Sequence, residues 1–162
     1  MKLLYLYYQM NVIYQSFDSM HTQIINVMGG QKVFNQKIDS FLSFIEVTQQ
    51  GIPISIAQTV QKKMNLSNKQ FGEMLNLSES TFQRRIKNKA VLTPSESEKV
   101  IDFSKIIAKG LDVFQDEGDF NSWLNSPIMA LGNKKPVELL TSSIGREEVL
   151  NVLFRIEHGL YS

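Results

Sequence analysis

Ser80, Thr81, Gln83, Arg84, Lys87 and Lys89 fall within ten consecutive positions. On a helix from Glu79 to about Asn88 they would share an outward, cationic face. Ser80 and Thr81 then lie in the first turn, where a recognition helix meets base edges or phosphates. Gln83 suits adenine and Arg84 suits guanine, each through a bidentate pair. Lys87 and Lys89, with Lys62 and Lys63, suit phosphate, which adds affinity and salt dependence but little sequence choice. The chemistry implied is recognition of an operator in double-stranded DNA. A second group closes the chain, in Gly145-Arg-Glu-Glu-Val-Leu-Asn-Val-Leu-Phe-Arg-Ile-Glu-His-Gly-Leu-Tyr-Ser162. A helix with Val149, Leu150, Leu153 and Ile156 inward, stopped by a left-handed Gly159, accounts for its apolar residues. It does not account for Arg, Glu, His and Tyr together in the tail.

The DNA-reading face needs a rigid mount. Ser67 precedes a helix over residues 68–75 and Ser78 precedes the next, so the joint is only Asn76-Leu77-Ser78. Such a tight joint is the requirement of a helix-turn-helix. Phe71, Leu75, Leu77, Phe82 and Ile86 can face inward, Gly72 leaves room where the helices approach, and Ser78 can cap the second helix. Upstream, Gly29-Gly30 breaks the chain, and Ile38, Phe41, Leu42 and Ile45 recur at helical spacing. Gly51-Ile52-Pro53 punctuates, and a helix over 54–64 follows. Downstream, Thr93-Pro94 opens a helix reaching about Gln115, with Val100, Phe103, Ile107, Leu111 and Phe114 as its stripe. Gly118 is expected to end that region. Short helices are expected over 120–124 and 136–140 and a longer one over 145–156. Trp123 is expected in the core, beside Phe120 and Leu124. No alternating run is long enough for a strand.

The totals narrow the classes. At 162 residues the chain suits one ordinary domain or two small helical ones. Cysteine is absent, which removes disulfides and thiolate metal sites and points to the cytosol. The two histidines, His21 and His158, are too far apart in sequence to suggest a metal site. No metal or cofactor is expected. Neither a nucleophile paired with a base nor a phosphate-cradling glycine loop is visible, so an enzyme is not expected. The opening Met-Lys-Leu-Leu-Tyr-Leu-Tyr-Tyr run is too short and too rich in tyrosine for a signal peptide or a membrane span. It reads as an extension or an upstream start, with Met10, Met20 and Met28 as alternative starts. A small amphipathic helix used in oligomer contacts is the competing reading. Charge is uneven. Residues 62–89 carry seven bases and two acids, a net +5, whereas the stretch from Pro94 onward carries seven bases and eleven acids, a net −4. The two halves should favour different partners.

Four stretches carry a family resemblance: Ser80-Thr-Phe-Gln-Arg-Arg85, Leu92-Thr-Pro-Ser-Glu-Ser-Glu98, Phe120-Asn-Ser-Trp-Leu124 with Ala130-Leu-Gly132 and Pro136, and the tail from Gly145 to Ser162. In order and spacing, from about Gly30 onward, the chain resembles the Xre-type antitoxins of the Xre/MbcA/ParS group, which pair with RES-domain toxins. The resemblance implies an all-α fold, an Xre-like helix-turn-helix bundle followed by a small helical toxin-binding domain. It divides the chain into an N-terminal extension of unassigned role (1–30), a DNA-binding region (31–92) and a dimerisation and toxin-binding domain (93–162). It further implies a type II antitoxin, a homodimer in a larger complex, that covers the active site of an NAD-consuming RES toxin and represses its own promoter. The toxin-facing residues would be Arg155, Glu157, His158, Gly159, Tyr161 and Ser162, with the Ser162 carboxylate joining them. The alternative is a stand-alone helix-turn-helix transcriptional regulator, which the basic face fits equally well and which has no need of such a tail.

Overall fold

Six helix starts are written into the sequence as hydroxyl or carboxylate caps. In the computed structural model, which describes residues 20–160, Ser40, Ser67, Ser78, Thr93, Asp116 and Ser142 each accept a hydrogen bond from the backbone N–H three residues on, at 3.0–3.3 Å. Each satisfies a donor that the helix itself leaves unpaired. The helices are α1 (residues 20–27), α2 (Phe41–Gln50), α3 (Ile54–Lys63), α4 (Asn68–Met74), α5 (Glu79–Lys87), α6 (Pro94–Phe114), α7 (Glu117–Leu124), α8 (Pro136–Leu139) and α9 (Ser143–Glu157). Short 3-10 turns lie at Gln31–Val33 and Met129–Leu131. Among the described residues there is no strand, only the isolated bridges Pro53–Val91 and Ile128–Lys134. The fold is all-α, as expected.

The long helix α6 is the axis of the molecule. It packs against α2, α3, α7 and α9. Val100, Phe103 and Ile107 are fully buried along it, and Leu111 and Phe114 are partly buried. Phe103 reaches Phe71 of α4, which in turn meets Phe82 of α5, both pairs at 5.7 Å between ring centroids. At the other end Phe114 packs on Phe120 and Trp123 of α7. Trp123 is only partly buried, at the edge of the core expected to hold it. Gly51 returns the chain toward α6 with φ of 83°, and a Cβ there would lie 2.2 Å from the Leu92 carbonyl oxygen. Both the backbone angle and the space require glycine.

Three local expectations change. The inward face of α2 is Ser43, Phe44, Val47 and Thr48, while Leu42 is 67% exposed and Ile45 is 38% exposed. Ile38 is buried but precedes the helix. The Ser40 cap sets the start of α2, and the packing of α2 against α6 sets which face turns inward. Gly118 ends nothing: it sits in the first turn of α7, whose cap is Asp116. The last helix starts at Ser143, and Gly145 lies inside it, buried against the Leu139 carbonyl. Residues 20–28, part of the stretch left without a role, contribute core: Ile24, Ile25, Val27 and Met28 are buried. The expectations for residues 1–19, an extension, alternative starts or an oligomer helix, lie outside the described residues apart from Met20 and Met28.

Gly110 marks the tightest crossing of α6 with α7. A Cβ there would lie 2.2 Å from two ring carbons of Phe120, which is itself fully buried. Gly110→Ala is expected to destabilise the protein by about 1–3 kcal/mol through overpacking, read as a lower urea midpoint with unchanged slope.

Candidate functional site

Helices α4 and α5 form the helix-turn-helix. Asn76 takes the left-handed conformation, φ 62°, that lets three residues reverse the chain, and asparagine tolerates it better than most side chains. A Cβ on Gly72 would sit 3.1 Å from the Leu77 carbonyl and 3.5 Å from Phe82 Cβ, so the missing side chain does let the helices approach. Phe71, Leu75 and Phe82 are buried and Leu77 and Ile86 partly so, which holds the pair at its angle. The Ser78 hydroxyl lies 2.9 Å from the Thr81 hydroxyl and 3.1 Å from that of Ser80.

On the outer face Ser80, Gln83, Arg84, Lys87 and Lys89 are exposed and Thr81 is half-buried. Gln83 donates to Glu79 at 3.2 Å, which orients its amide. Among the described residues Arg84, Lys87 and Lys89 make no ion pair, whereas Lys63 is tied to Glu117 at 2.7 Å. Lys89 is held at φ 49°, a conformation that costs a non-glycine residue about 1 kcal/mol. Arg85 points the other way. Its guanidinium meets Glu96 at 2.6 Å, and the same carboxylate oxygen accepts the Thr93 N–H at 2.8 Å. One carboxylate thus closes the capping box of α6 and fixes the rotation of α5. Next to it, burial first and the Arg146 guanidinium second hold the Lys99 pKa below the ordinary lysine value, with Glu96 opposing.

The C-terminal group is built on α9. Its inner face is Val149, Val152 and Leu153, with Leu150 and Ile156 partly buried. Arg146 anchors the first turn, donating to Asp102 at 3.1 Å and to the Leu140 carbonyl at 3.1 Å. The last turn closes as a Schellman motif: Leu160 N–H donates to the Arg155 carbonyl, Gly159 N–H to that of Ile156, and Gly159 has φ 66°. Arg155 is paired with Glu148 at 2.5 Å and Glu157 with Lys109 at 2.6 Å. His158 is exposed, with Nδ1 2.8 Å from the Phe154 carbonyl oxygen. Gly159 and Leu160 are also exposed, Leu160 by 64%. Tyr161 and Ser162 lie outside the described residues.

Two family models match the chain in tandem. Residues 43–103 match the antitoxin Xre-like helix-turn-helix domain, and residues 109–159 match the antitoxin Xre/MbcA/ParS C-terminal toxin-binding domain. The chain belongs to the Xre/MbcA/ParS antitoxin family. The first match spans most of α2 through the first half of α6, and the second spans the end of α6 through Gly159. Among similar proteins, antitoxin Xre of Photorhabdus laumondii is 26% identical over 117 residues, 72% of this chain and 79% of that protein. Antitoxin Xre of Yersinia enterocolitica is 24% identical over 73% of this chain and 80% of its own length. The Prs ADP-ribosylating antitoxin of a Sphingobium species is 25% identical over 73% and 80%. The fold also resembles a chain of the M. tuberculosis MbcT–MbcA toxin–antitoxin complex, at TM-score 0.51 and 18% identity, covering 65% of this chain and 94% of that one. The protein is an antitoxin of a toxin–antitoxin system.

Three residues that hold this antitoxin's surfaces in place escape a reading of the sequence: Arg85, Arg146 and Lys109. Thr93-x-x-Glu96 is a visible capping box, but nothing local says that Glu96 also receives Arg85. Periodicity puts Lys109 near the polar side of α6, and only the arrival of α9 buries it. The two neighbouring arginines should therefore separate on substitution. Arg85→Ala is expected to cost about 2 kcal/mol of stability, because it strips a charged partner from a nearly buried carboxylate. Arg84→Ala should stay within about 0.5 kcal/mol. Chemical denaturation of both variants checks this.

Proposed function

We propose that this antitoxin neutralises a RES-type, NAD-consuming toxin by laying its C-terminal segment over the toxin's active-site cleft, and that with the toxin bound it represses its own promoter through α5. The observation that carries the reading is the condition of the last turn of α9. It is fixed to the core by Lys109 on its inner side, while His158, Gly159 and Leu160 stand exposed beyond it. A site that accepts NAD must offer cations or hydrogen-bond donors to a diphosphate, and a carboxylate can occupy them instead. Glu157, the carboxylate of the proposed set, would share itself between such groups and Lys109, which holds it at 2.6 Å. Arg155 and Tyr161 are of the types that anchor interfaces. His158, Gly159 and Ser162 complete the proposed toxin-facing set. The M. tuberculosis protein of similar fold was solved together with a toxin, and the Sphingobium relative is named for ADP-ribosylation, chemistry whose donor is NAD.

For DNA, the proposed contacts are Ser80, Thr81, Gln83, Arg84, Lys87 and Lys89. In a homodimer two copies of α5 would address the two halves of a symmetric operator. The exposed, unpaired state of Arg84, Lys87 and Lys89 supports this, since a charge already neutralised within the protein has little to give a phosphate.

Two experiments test the two surfaces separately. Removing Gly159–Ser162 is expected to abolish rescue of growth when the adjacent gene's product is co-expressed, while affinity for promoter DNA stays within twofold. Unchanged rescue would refute the tail's role. Lys89→Gly is expected to raise stability by about 1 kcal/mol by relieving the left-handed strain. The same change should reduce the slope of log affinity against log salt by about 0.9, the loss of one phosphate contact.

A further inference from the structure

Lys109 is a lysine in the interior, 5% exposed although Lys105 and Asp112, four and three residues away on the same face of α6, are not buried. Its ammonium makes three contacts. It lies 2.6 Å from Glu157 Oε2, 3.4 Å from Asp112 Oδ2 and 4.6 Å from the centroid of the Phe154 ring. Phe154 and Glu157 are three residues apart on α9, so they share one face of its last turn. Lys109 therefore grips that turn at two points, a carboxylate and the face of a ring. The carboxylate it grips also lies 3.5 Å from His158 Nδ1. A methionine or leucine would fill the same space without the cost of taking an ammonium out of water. A charge kept there implies a directional task.

We infer that Lys109 is the positioning residue for toxin neutralisation: it sets the rotation of the last turn of α9 and so the direction in which Arg155, His158 and the tail leave the core. Lys109 does not touch the toxin. The inference rests on the proposed role of the tail, and it assigns Glu157 a tether within the antitoxin as its principal contact. Its partner is the same toxin, approached by a tail whose aim is built in before binding. Preorganisation of this kind lowers the ordering cost of association.

The test uses the full chain carrying Lys109→Met, Glu157→Gln, both together, and Asp112→Asn, with the 159–162 deletion as reference. Amide hydrogen exchange on the antitoxin alone should quicken at least tenfold at Gly159 and Leu160 in the first three variants and stay unchanged in Asp112→Asn. Affinity for the adjacent gene's product should fall at least tenfold in Lys109→Met, and the double variant should bind no worse than the weaker single, as two halves of one interaction require. Promoter affinity should hold within twofold throughout. If Lys109→Met does not fold, Glu157→Gln, altered at a partly exposed site, carries the same comparison. Should the deletion abolish toxin binding while Lys109→Met and Glu157→Gln bind normally, the positioning role is refuted and the tail's role stands. Should the deletion itself bind normally, both fall.

Discussion

The structure depends on one helix being packed on several sides at once while carrying charge into its interior. Helix α6 has an apolar surface wide enough to serve α2, α3, α7 and α9. Glu96 and Lys109 are nevertheless buried in it and Asp102 lies half-buried at its edge. Each is paired with another element: Glu96 with Arg85 of α5, Asp102 with the buried Arg146 of α9, and Lys109 with Glu157 at the far end of α9. Such pairs contribute little net stability, because desolvation offsets much of the attraction. Their value is directional. Apolar packing tolerates a helix that rolls by a few degrees, whereas an ion pair near 2.6 Å does not. The two functional helices are thus keyed in rotation to a common rod, at points roughly 20 Å apart along its axis at 1.5 Å per residue.

This division of labour explains which parts of the molecule a sequence reveals. The helix starts at Ser67, Ser78 and Thr93 are legible because each is a local event, a hydroxyl meeting the N–H three residues on, whereas the caps at Ser40, Asp116 and Ser142 do not stand out as starts in the sequence. The joint at Asn76-Leu77-Ser78 is legible for the same reason, as are the long helix from Pro94 and the stop at Gly159. Errors arise where a decision is tertiary. The stripe on α2 is misplaced because its rotation follows from how the helix packs against α6, which buries Phe44 and Val47. Gly118 reads as a stop because glycine usually is one, yet Asp116 two residues earlier already supplies a cap. Lys109 cannot be identified at all from its neighbours, because the residues that satisfy it lie almost fifty positions downstream.

The recognition face shows the same logic in reverse. The side chains proposed to meet DNA have few internal obligations. Arg84, Lys87 and Lys89 are solvated and unpaired, and Lys89 occupies a conformation that glycine would hold more cheaply. Arg85, one residue from Arg84, is fully committed to Glu96. Adjacent arginines on a helix point about 100° apart, so one can be structural and the other free. Composition alone counts both toward the +5 of this segment, which therefore overstates the charge available to a polyanion.

The opposite bias of the C-terminal half follows from similar accounting. Of its acids, Glu96, Asp102, Asp112, Glu117, Glu148 and Glu157 are engaged by lysine or arginine within the chain. Lys63 and Arg85, which precede this half, neutralise Glu117 and Glu96, while the remaining pairs cancel within it, so the net −4 falls to −2. In the proposed complex, recognition of a toxin would draw on that remaining charge, on shape and on a few well-aimed groups at the end of α9. On the proposed reading, the buried lysine under the final turn would serve direction rather than long-range attraction, because its own charge is already met by Glu157 and Asp112 within the chain.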